Sequence, residues 1–288
     1  MNAIQDINHV GMAVHDMANA VRVLETLGFL LTPLSAQRGA VKPGDPVVAL
    51  GSANRCAIFA TNYLEVLTHA DPARPDPRQA RFLGRHEGAH IICFGTEDTQ
   101  AAYAEFTAND IRSSGVIALE RDVDTADGLR TARFERVQFD GAATPEGLIQ
   151  VARHLTPQYI HQTRYMGHPN RVTGLVETWI VAEDPLAVVT RYARGTGRIA
   201  QPAREGYRLD FERNSALRVL DAGGAVARSL GTLPSAPPLI AAVVFASEDL
   251  PAMAIRLRAG QIEHVRVDDQ LLVPNQAACG VAMLFRAA

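Results

Sequence analysis

Short apolar runs that end in an acidic residue recur four times along the chain. They read INHVGMAVHD from residue 7, GAHIICFGTED from residue 88, GLVETWIVAED from residue 174 and LIAAVVFASED from residue 239. The stretch after each run looks helical, and after the first run Met17, Ala20, Val21 and Leu24 recur at spacings of three and four, the period of an amphipathic helix. Asp16, Asp98, Asp184 and Asp249 stand where helix N-caps belong, since an aspartate accepts hydrogen bonds from free backbone N–H groups. Each run therefore predicts a β-strand followed by a helix.

Segments with β-strand character follow these helices. In the first quarter they are Phe29–Thr32, Asn54–Ala60 and Tyr63–Thr68, and in the second quarter they are residues 129–139 and 147–153. The third quarter ends in LDFERNSALRVLD and the fourth in CGVAMLFRA. The order of strand, helix and about three strands, repeated four times, predicts an α+β fold of four βαβββ units that form two paired domains with curved mixed sheets.

The boundary between the two pairs is expected in the polar segment 154–171, which carries Pro157 and Pro169. This segment is typical of a linker or of a packed connection. The predicted domains are residues 1–160 and residues 170–288.

Composition narrows the class of protein. The 288 residues are 47% hydrophobic and 20% charged, which is ordinary for a globular protein, and 28 basic residues face 31 acidic ones. A net charge of −3 provides no field for nucleic acid or for an anionic membrane. No apolar run is long enough for a transmembrane helix, and residues 1–6 show no signal peptide.

The cysteines bear on the compartment. Cys56, Cys93 and Cys279 are odd in number and lack the spacing of a metal site, so they are interpreted as buried thiols of a reducing compartment. We therefore predict a cytoplasmic protein whose partner is a small-molecule substrate rather than nucleic acid or membrane. The oligomeric state is left open, a homodimer included.

Four segments carry a resemblance to a known superfamily. They are INHVGMAVHD, NRCAIFATNYLEVL, EGAHIICFGTED and EGLIQVARHLTPQYI, which begin at residues 7, 54, 87 and 146. The chain resembles the vicinal oxygen chelate superfamily, which includes glyoxalase I, extradiol dioxygenases and bleomycin-resistance proteins, and within it the members with two tandem glyoxalase-like domains. The resemblance is strong through residue 170 and weaker beyond it. It specifies the fold better than the reaction, because one fold hosts many chemistries.

The resemblance implies one divalent metal ion (Zn, Ni, Mn, Co or Fe) held by the first and last strands of two units. The matching positions are His9 and His90 on the first strands, and Glu65 and Gln150 on the last strands. Imidazole nitrogen and carboxylate oxygen suit these metals, whereas the amide of Gln150 is a weaker and neutral donor. His154 points to the same side of its strand as Gln150, so it could replace Gln150 as a ligand or contact the following segment. The alternative is a polar cluster that binds no metal.

Other side chains are candidates for substrate binding. Arg130 and Arg136 lie on one face of a strand and Arg133 on the other. There are two interpretations of these arginines. Either all three lie on solvated faces of the strand, or one of them binds a substrate carboxylate through two hydrogen bonds. We take Arg133, together with Asn54 and His154, as the predicted substrate-binding residues.

The C-terminal pair of units is predicted to be degenerate. Alignment of the repeats puts Glu177 at the position of His9 and Arg218 at that of Glu65, with Ala242 and Met283 at the remaining two positions. An arginine, an alanine and a methionine bind divalent ions poorly, and a Glu177–Arg218 ion pair is more plausible. This half is expected to be a scaffold without a metal of its own.

Three functions follow from these residues. The first is a metal-dependent glyoxalase-like lyase or isomerase that acts on a small carbonyl or vicinal-oxygen substrate, with Glu65 as the catalytic base because an amide cannot accept the proton. The second is an Fe(II)-dependent extradiol-type dioxygenase, which Gln150 makes less favourable because that position is a carboxylate in the family's extradiol members. The third is a non-catalytic protein that sequesters a small molecule, as resistance proteins do.

Overall fold

The computed structural model describes residues 3–40, 42–74 and 76–288, and its elements repeat the predicted unit four times. The first unit contains β1 (Asp6–Ala13), α1 (Met17–Thr26), β2 (Ser35–Gly39), β3 (Val48–Ile58) and β4 (Tyr63–His69), and α2 (Pro77–Leu83) follows it. The second contains β5 (Gly88–Gly95), α3 (Thr99–Ala108), β6 (Ser113–Thr125), β7 (Gly128–Phe139) and β8 (Leu148–His154). The third contains β9 (Val172–Ala182), α4 (Pro185–Thr196), β10 (Gln201–Ala203), β11 (Gly206–Asp210) and β12 (Ala216–Asp221), followed by α5 (Ala225–Ser229). The fourth contains β13 (Leu239–Ser247), α6 (Leu250–Ala259), β14 (Val265–Val267), β15 (Gln270–Val273) and β16 (Ala282–Ala287).

The main helix of each unit begins at the predicted aspartate. The side chains of Asp16, Asp98, Asp184 and Asp249 accept hydrogen bonds from backbone N–H groups in the first turns of α1, α3, α4 and α6. These bonds satisfy donors that have no partner inside the helix. The recurring acidic residue is thus explained by helix capping, and the α+β fold class is confirmed.

Two strand predictions need correction. Phe29–Thr32 is not a strand, because its backbone bonds go to the connecting segment and to β3: the N–H of Leu30 donates to Nδ1 of His168, and the N–H of Thr32 donates to the carbonyl of Cys56. The strand of this region, β2, begins at Ser35 instead. The long strand β6 was not predicted, because its sequence SSGVIALERDVDT does not alternate cleanly between apolar and polar residues.

The first eight strands close into a barrel in the order β1, β4, β3, β2, β6, β7, β8, β5, with β5 returning to β1. β1 is parallel to β4, β5 is parallel to β8, and β1 and β5 are antiparallel to each other. This pairing relates the two units by an approximate twofold axis between β1 and β5. Corresponding residues of the units therefore face one another across the barrel.

The last eight strands form a second sheet in the order β10, β11, β12, β9, β13, β16, β15, β14. Its central strands repeat the pairing of the first sheet, but a buried apolar cluster occupies one face, where Trp179 packs with Leu230, Val244 and two residues of α5. The two halves share a core in which Phe29 contacts Phe245, with ring centroids 5.0 Å apart.

The segment between the sheets is a packed connection. It forms two short 3₁₀ turns, at Pro157–Tyr159 and Thr163–Tyr165. His161 and His168 bond to the carbonyls of Phe59 and Ile58, which anchors the segment to the end of β3. Among the described residues, no helix is both long and apolar enough to cross a membrane.

A buried carboxylate ties the barrel to the second half. Glu146, just before β8, is fully buried and accepts hydrogen bonds at 2.7 Å from Arg191 and at 2.6 Å from the hydroxyl of Tyr192, both on α4. Burial, and then the negative charge of Glu146, hold the pKa of the Tyr192 hydroxyl well above its usual range. The hydroxyl is therefore the donor in this bond.

We predict that Glu146→Gln lowers the free energy of unfolding by about 2 kcal/mol, because it removes a fully buried carboxylate that bonds to Tyr192 and to the partly buried guanidinium of Arg191. Urea unfolding followed by circular dichroism measures the loss. The control is Glu248→Gln, since Glu248 pairs with Arg171 on the surface and such pairs contribute less than about 1 kcal/mol. Equal losses in the two variants would contradict the role assigned to Glu146.

Candidate functional site

A pocket opens into the interior of the barrel. Polar and charged side chains line one side of it, and Leu50, Ile91, Leu119 and Phe134 form apolar walls. The polar side chains are His9, Gln37, Arg38, Tyr63, Glu65, Arg78, Glu120, Arg121, Arg136, Gln150 and His154. A concave site that combines apolar walls with a few convergent polar groups is typical of small-molecule binding.

Glu65 is positioned by two amide groups. Its Oε1 atom accepts hydrogen bonds from Nδ2 of Asn54 and, at 3.1 Å, from Nε2 of Gln37. Its Oε2 atom faces the pocket and lies 3.8 Å from Nε2 of His9. Glu65 as a whole is 5% exposed. The hydrogen bonds fix Oε1, while Oε2 can contact a ligand in the pocket.

His9 is a neutral imidazole with a free lone pair. Burial, and then the charge of Arg121, lower the pKa of His9 to about 3, so the ring is uncharged at neutral pH. Nδ1 lies 2.8 Å from Oδ1 of Asn8, which can only accept, so Nδ1 carries the proton. Nε2 is then unprotonated and faces Oε2 of Glu65, and the ring stacks on Tyr63 with centroids 4.4 Å apart. Two hydrogen-bond acceptors thus face each other, and a ligand hydroxyl or a cation would satisfy both.

His90 does not reach this pocket. Its ring stacks on Phe82 at a centroid distance of 4.8 Å and on His86 at 4.2 Å, and its Nε2 lies 2.8 Å from the carbonyl of His86. Burial is the largest cause that lowers the pKa of His90 to about 3, so this ring is neutral too. The residue that lines the pocket from β5 is Ile91.

The strand register gives the reason. Gly11 pairs with Glu65 in β1 and β4, and Cys93 pairs with Gln150 in β5 and β8. His9 lies two residues before Gly11, and Ile91 lies two residues before Cys93, so the counterpart of His9 is Ile91. The expected equivalence of His9 and His90 is wrong by one residue. Because side chains alternate across a strand, that single step moves His90 to the opposite face.

The closeness of the two strands also requires a glycine at position 11. A Cβ atom there would lie 2.9 Å from Cβ of Ile91 and 3.2 Å from Oε2 of Glu65. Any side chain at Gly11 would therefore displace the wall of the pocket and its carboxylate.

Gln150 and His154 both line the pocket, as their shared strand parity predicts. Oε1 of Gln150 accepts a hydrogen bond from Nη1 of Arg136 at 3.3 Å. His154 is packed among the rings of Phe134, Tyr63 and His161, and neither of its ring nitrogens has a partner in the described structure. Burial, and then the nearby His9, hold the pKa of His154 well below its usual range, so it offers one donor and one acceptor.

The arginine that enters the pocket from β7 is Arg136 and not Arg133. Arg133 is exposed, does not line the pocket and pairs with Glu120 at 3.2 Å, so the structure does not place it for substrate binding. Arg121, from the unpredicted strand β6, is a second buried arginine in the pocket wall. Arg136 is three residues from Arg133 and therefore on the opposite face of the strand, which was the sequence signal for its inward position. Nothing in the sequence singled out Arg121.

Asn54 has a positioning role. It lines a neighbouring cavity and holds Glu65 through its Nδ2 atom, while its Oδ1 atom has no partner among the described residues. Asn54 does not line the main pocket, so the structure does not place it for the predicted substrate contact. What it fixes is the carboxylate.

The side chains present do not fit the four-ligand metal set that the sequence implied. His9, Glu65 and Gln150 face the pocket, but a hydrocarbon side chain, Ile91, stands where the second histidine was expected. The Gln150 oxygen is already bonded to a guanidinium, whose positive charge repels a dication. In the described ranges no group of three or more His, Cys, Asp or Glu side chains is placed to hold a metal ion.

The second half differs from the prediction in one contact. Glu177 is buried and pairs with Arg208 at 2.6 Å and Arg286 at 2.8 Å, not with Arg218. Arg218 stacks on the ring of Trp179 at 4.7 Å instead, because these two residues are register partners on neighbouring strands.

Comparison with solved structures shows the same fold in proteins of very different sequence. A hypothetical protein from Staphylococcus aureus matches over 99% of this chain and 100% of its own length, with 10% identity and a TM-score of 0.67. An extradiol ring-cleaving dioxygenase from B. fuscum matches over 100% of this chain and 72% of its own, with 13% identity and a TM-score of 0.55. The Mn(II)-bound glyoxalase from Novosphingobium aromaticivorans matches over 99% and 82%, with 11% identity and a TM-score of 0.54. At these identities the likeness concerns the fold.

The sequence itself supplies the family. No curated protein matches the chain. The model of the glyoxalase-like domain family matches residues 7–196, which include every residue of the barrel pocket. The chain therefore belongs to the glyoxalase-like family, and its fold is that of the vicinal oxygen chelate superfamily.

Proposed function

We propose that the barrel pocket is the active site of a glyoxalase-like isomerase or lyase that moves a proton on a small oxygenated substrate. The observation that carries the proposal is the arrangement of Glu65: a buried carboxylate with one oxygen fixed by Asn54 and Gln37 and the other open to the pocket. A general base needs this combination of fixed orientation and an accessible lone pair.

Glu65 is the proton acceptor in this reaction. Gln150, its counterpart in the second unit, is an amide and cannot take a proton. Nε2 of His9 lies 3.8 Å from the free oxygen of Glu65 and carries a lone pair, so it can accept a hydrogen bond from a substrate hydroxyl next to the reacting carbon. The two groups would then hold a hydroxyl and an acidic C–H bond side by side.

The pocket also contains groups that favour negative charge. Removal of a proton from carbon next to a carbonyl places charge on the carbonyl oxygen, and fixed donors lower the barrier when they point to that oxygen. Arg121 and Arg136 line the pocket close enough to Glu65 for their charges to affect one another. We propose that their positive charge stabilises the developing oxyanion.

A binding protein without turnover is the second candidate. The pocket lacks the four metal ligands that the sequence implied, and this favours a binding protein, because a protein that only sequesters a small molecule does not need a catalytic metal. The extradiol dioxygenase is less favoured. An iron site of that class needs two histidines and a carboxylate, and among the described residues no three such side chains are placed to hold one ion.

Proton abstraction can be tested without knowing the full reaction. The purified protein is incubated in D₂O with a panel of hydroxyketones and 2-oxo carboxylates, and exchange of the C–H next to the carbonyl is followed by NMR. We expect exchange with at least one class, and a loss of a hundredfold or more in Glu65→Gln, since a positioned base contributes about 10²–10⁴-fold.

The matched control is Glu135→Gln. Glu135 lies on β7 outside the pocket and accepts a hydrogen bond from Thr99, so its replacement should leave the exchange rate unchanged. Exchange that persists in Glu65→Gln rules out the assigned base. If the parent protein binds a compound of the panel but catalyses no exchange of its C–H hydrogen for deuterium, the result supports the sequestering function.

Metal binding remains a prediction, and the structure makes it specific. Any divalent ion in the pocket would contact His9 and Glu65, whereas His90 stacks outside it. We expect His90→Ala to lower the free energy of unfolding by about 2 kcal/mol through lost packing, and to keep the metal content of the parent. Elemental analysis of protein purified without chelators measures this, with His9→Ala as the comparison variant. A folded His90→Ala that loses stoichiometric metal kept by His9→Ala would contradict the register of β5.

A further inference from the structure

Four arginines line the pocket, against two glutamates. The arginines are Arg38, Arg78, Arg121 and Arg136, and the glutamates are Glu65 and Glu120. His9 and His154 add no charge, because burial keeps both rings neutral. The pocket is therefore cationic in a protein whose net charge is −3.

Arg121 is buried without a counter-ion. It is 7% exposed, its Nη1 atom reaches only the sulfur of Cys56 at 3.7 Å, and its Nε atom has no partner. Its guanidinium lies over the ring of Phe134, 5.5 Å from the centroid. An arginine in such surroundings has several free donors in a fixed plane.

Arg136 is partly buried and also lacks a carboxylate partner. Its Nη1 atom donates to Oε1 of Gln150, and its Nε atom has no partner. Burial, and then the charge of Arg78, lower the pKa of Arg136 to about 10, which still leaves it charged at neutral pH. Within residues 3–40, 42–74 and 76–288, no carboxylate oxygen lies within 4.0 Å of the guanidinium nitrogens of Arg121 or Arg136.

Three other partly buried arginines have a carboxylate partner. Arg78, in the same pocket, bonds to Gln37 and Ser52 and lies 3.6 Å from Asp76. Arg191 pairs with Glu146, and Arg208 pairs with Glu177. The contrast matters because an unpaired buried charge destabilises the folded state.

We infer that the ligand supplies the missing charge: the substrate is a small 2-oxo or 2-hydroxy carboxylate whose carboxylate is bound by Arg121 and Arg136. A guanidinium matches a planar carboxylate through two parallel hydrogen bonds. His154, with one free donor and one free acceptor, is available to the oxygen next to the carboxylate. The inference rests on the proposed function only in placing the ligand in the same pocket.

Oxalate is a suitable probe, because it is a planar carboxylate with a second oxygenated carbon and it cannot undergo the proposed proton transfer. Calorimetric titration of the full chain with oxalate should show binding, whereas oxamide, its neutral counterpart, should not bind. Arg136→Gln should weaken oxalate binding tenfold or more, since a hydrogen bond to a charged group contributes that much. Arg136→Lys should fall between the two, because it keeps the charge and loses the planar fork.

The matched control is Arg133→Gln, three residues away on the same strand but exposed and outside the pocket, which should bind oxalate as the parent does. In the absence of ligand, Arg136→Gln should melt at the same or a higher temperature than the parent, because it removes a partly buried charge that has no carboxylate partner. That result separates lost binding from lost folding. A purely structural arginine would instead lower the melting temperature when replaced.

Three results would overturn the inference: oxamide binding as tightly as oxalate, oxalate binding unchanged in Arg136→Gln, or inorganic phosphate binding where oxalate does not. Glu65→Gln separates this inference from the proposed reaction. It should bind oxalate at least as tightly as the parent, since it removes a negative charge from the pocket. If oxalate binding depends on Arg136 but the parent shows no proton exchange, the carboxylate site is supported and the proposed catalysis is wrong.

Discussion

The antiparallel pairing of β1 with β5 is the contact on which the site depends. It closes the barrel, relates the first two units and fixes which residues of both strands face inward. A glycine at position 11 permits the close approach, because Ile91 and Glu65 occupy the space that its side chain would fill. The inner layer of His9, Glu65, Ile91 and Gln150 is thus a consequence of backbone register. A shift of one residue would exchange every inner side chain of β5 for an outer one.

The electrostatics of the pocket follow from that layer. In the first unit a neutral histidine and a carboxylate present lone pairs to each other. The second unit contributes an isoleucine, an amide and, through β6 and β7, two guanidinium groups. His9 and Glu65 thus accept hydrogen bonds or a proton, whereas Arg121 and Arg136 bring positive charge, to which Arg38 and Arg78 add. This polarity suits a substrate with a carboxylate at one end and an acidic C–H or hydroxyl group at the other.

The sequence was sufficient for the repeat and the helix starts, because these rest on local chemistry and on a period that recurs. The resemblance to a known superfamily gave the inward positions of His9, Glu65 and Gln150. It was insufficient for β5, since every residue from Gly88 to Gly95 is buried and the strand shows no polar face that would reveal its register. It also missed Arg121, because β6 lacks a clean alternation, and it favoured Arg133 over Arg136. Burial decides between those two arginines, and burial depends on the closure of the barrel by distant strands.

Two features of the pocket are central: it is inferred to bind an anion through arginines, and Ile91 stands where a four-ligand metal site would have His90. A crystal structure of the chain grown with both oxalate and Mn²⁺, with anomalous data collected for manganese, tests both features directly. We expect oxalate bound to the guanidinium groups of Arg121 and Arg136, with Ile91 in the pocket wall and His90 stacked on Phe82. A manganese ion coordinated by His9, Glu65 and His90 would contradict this expectation.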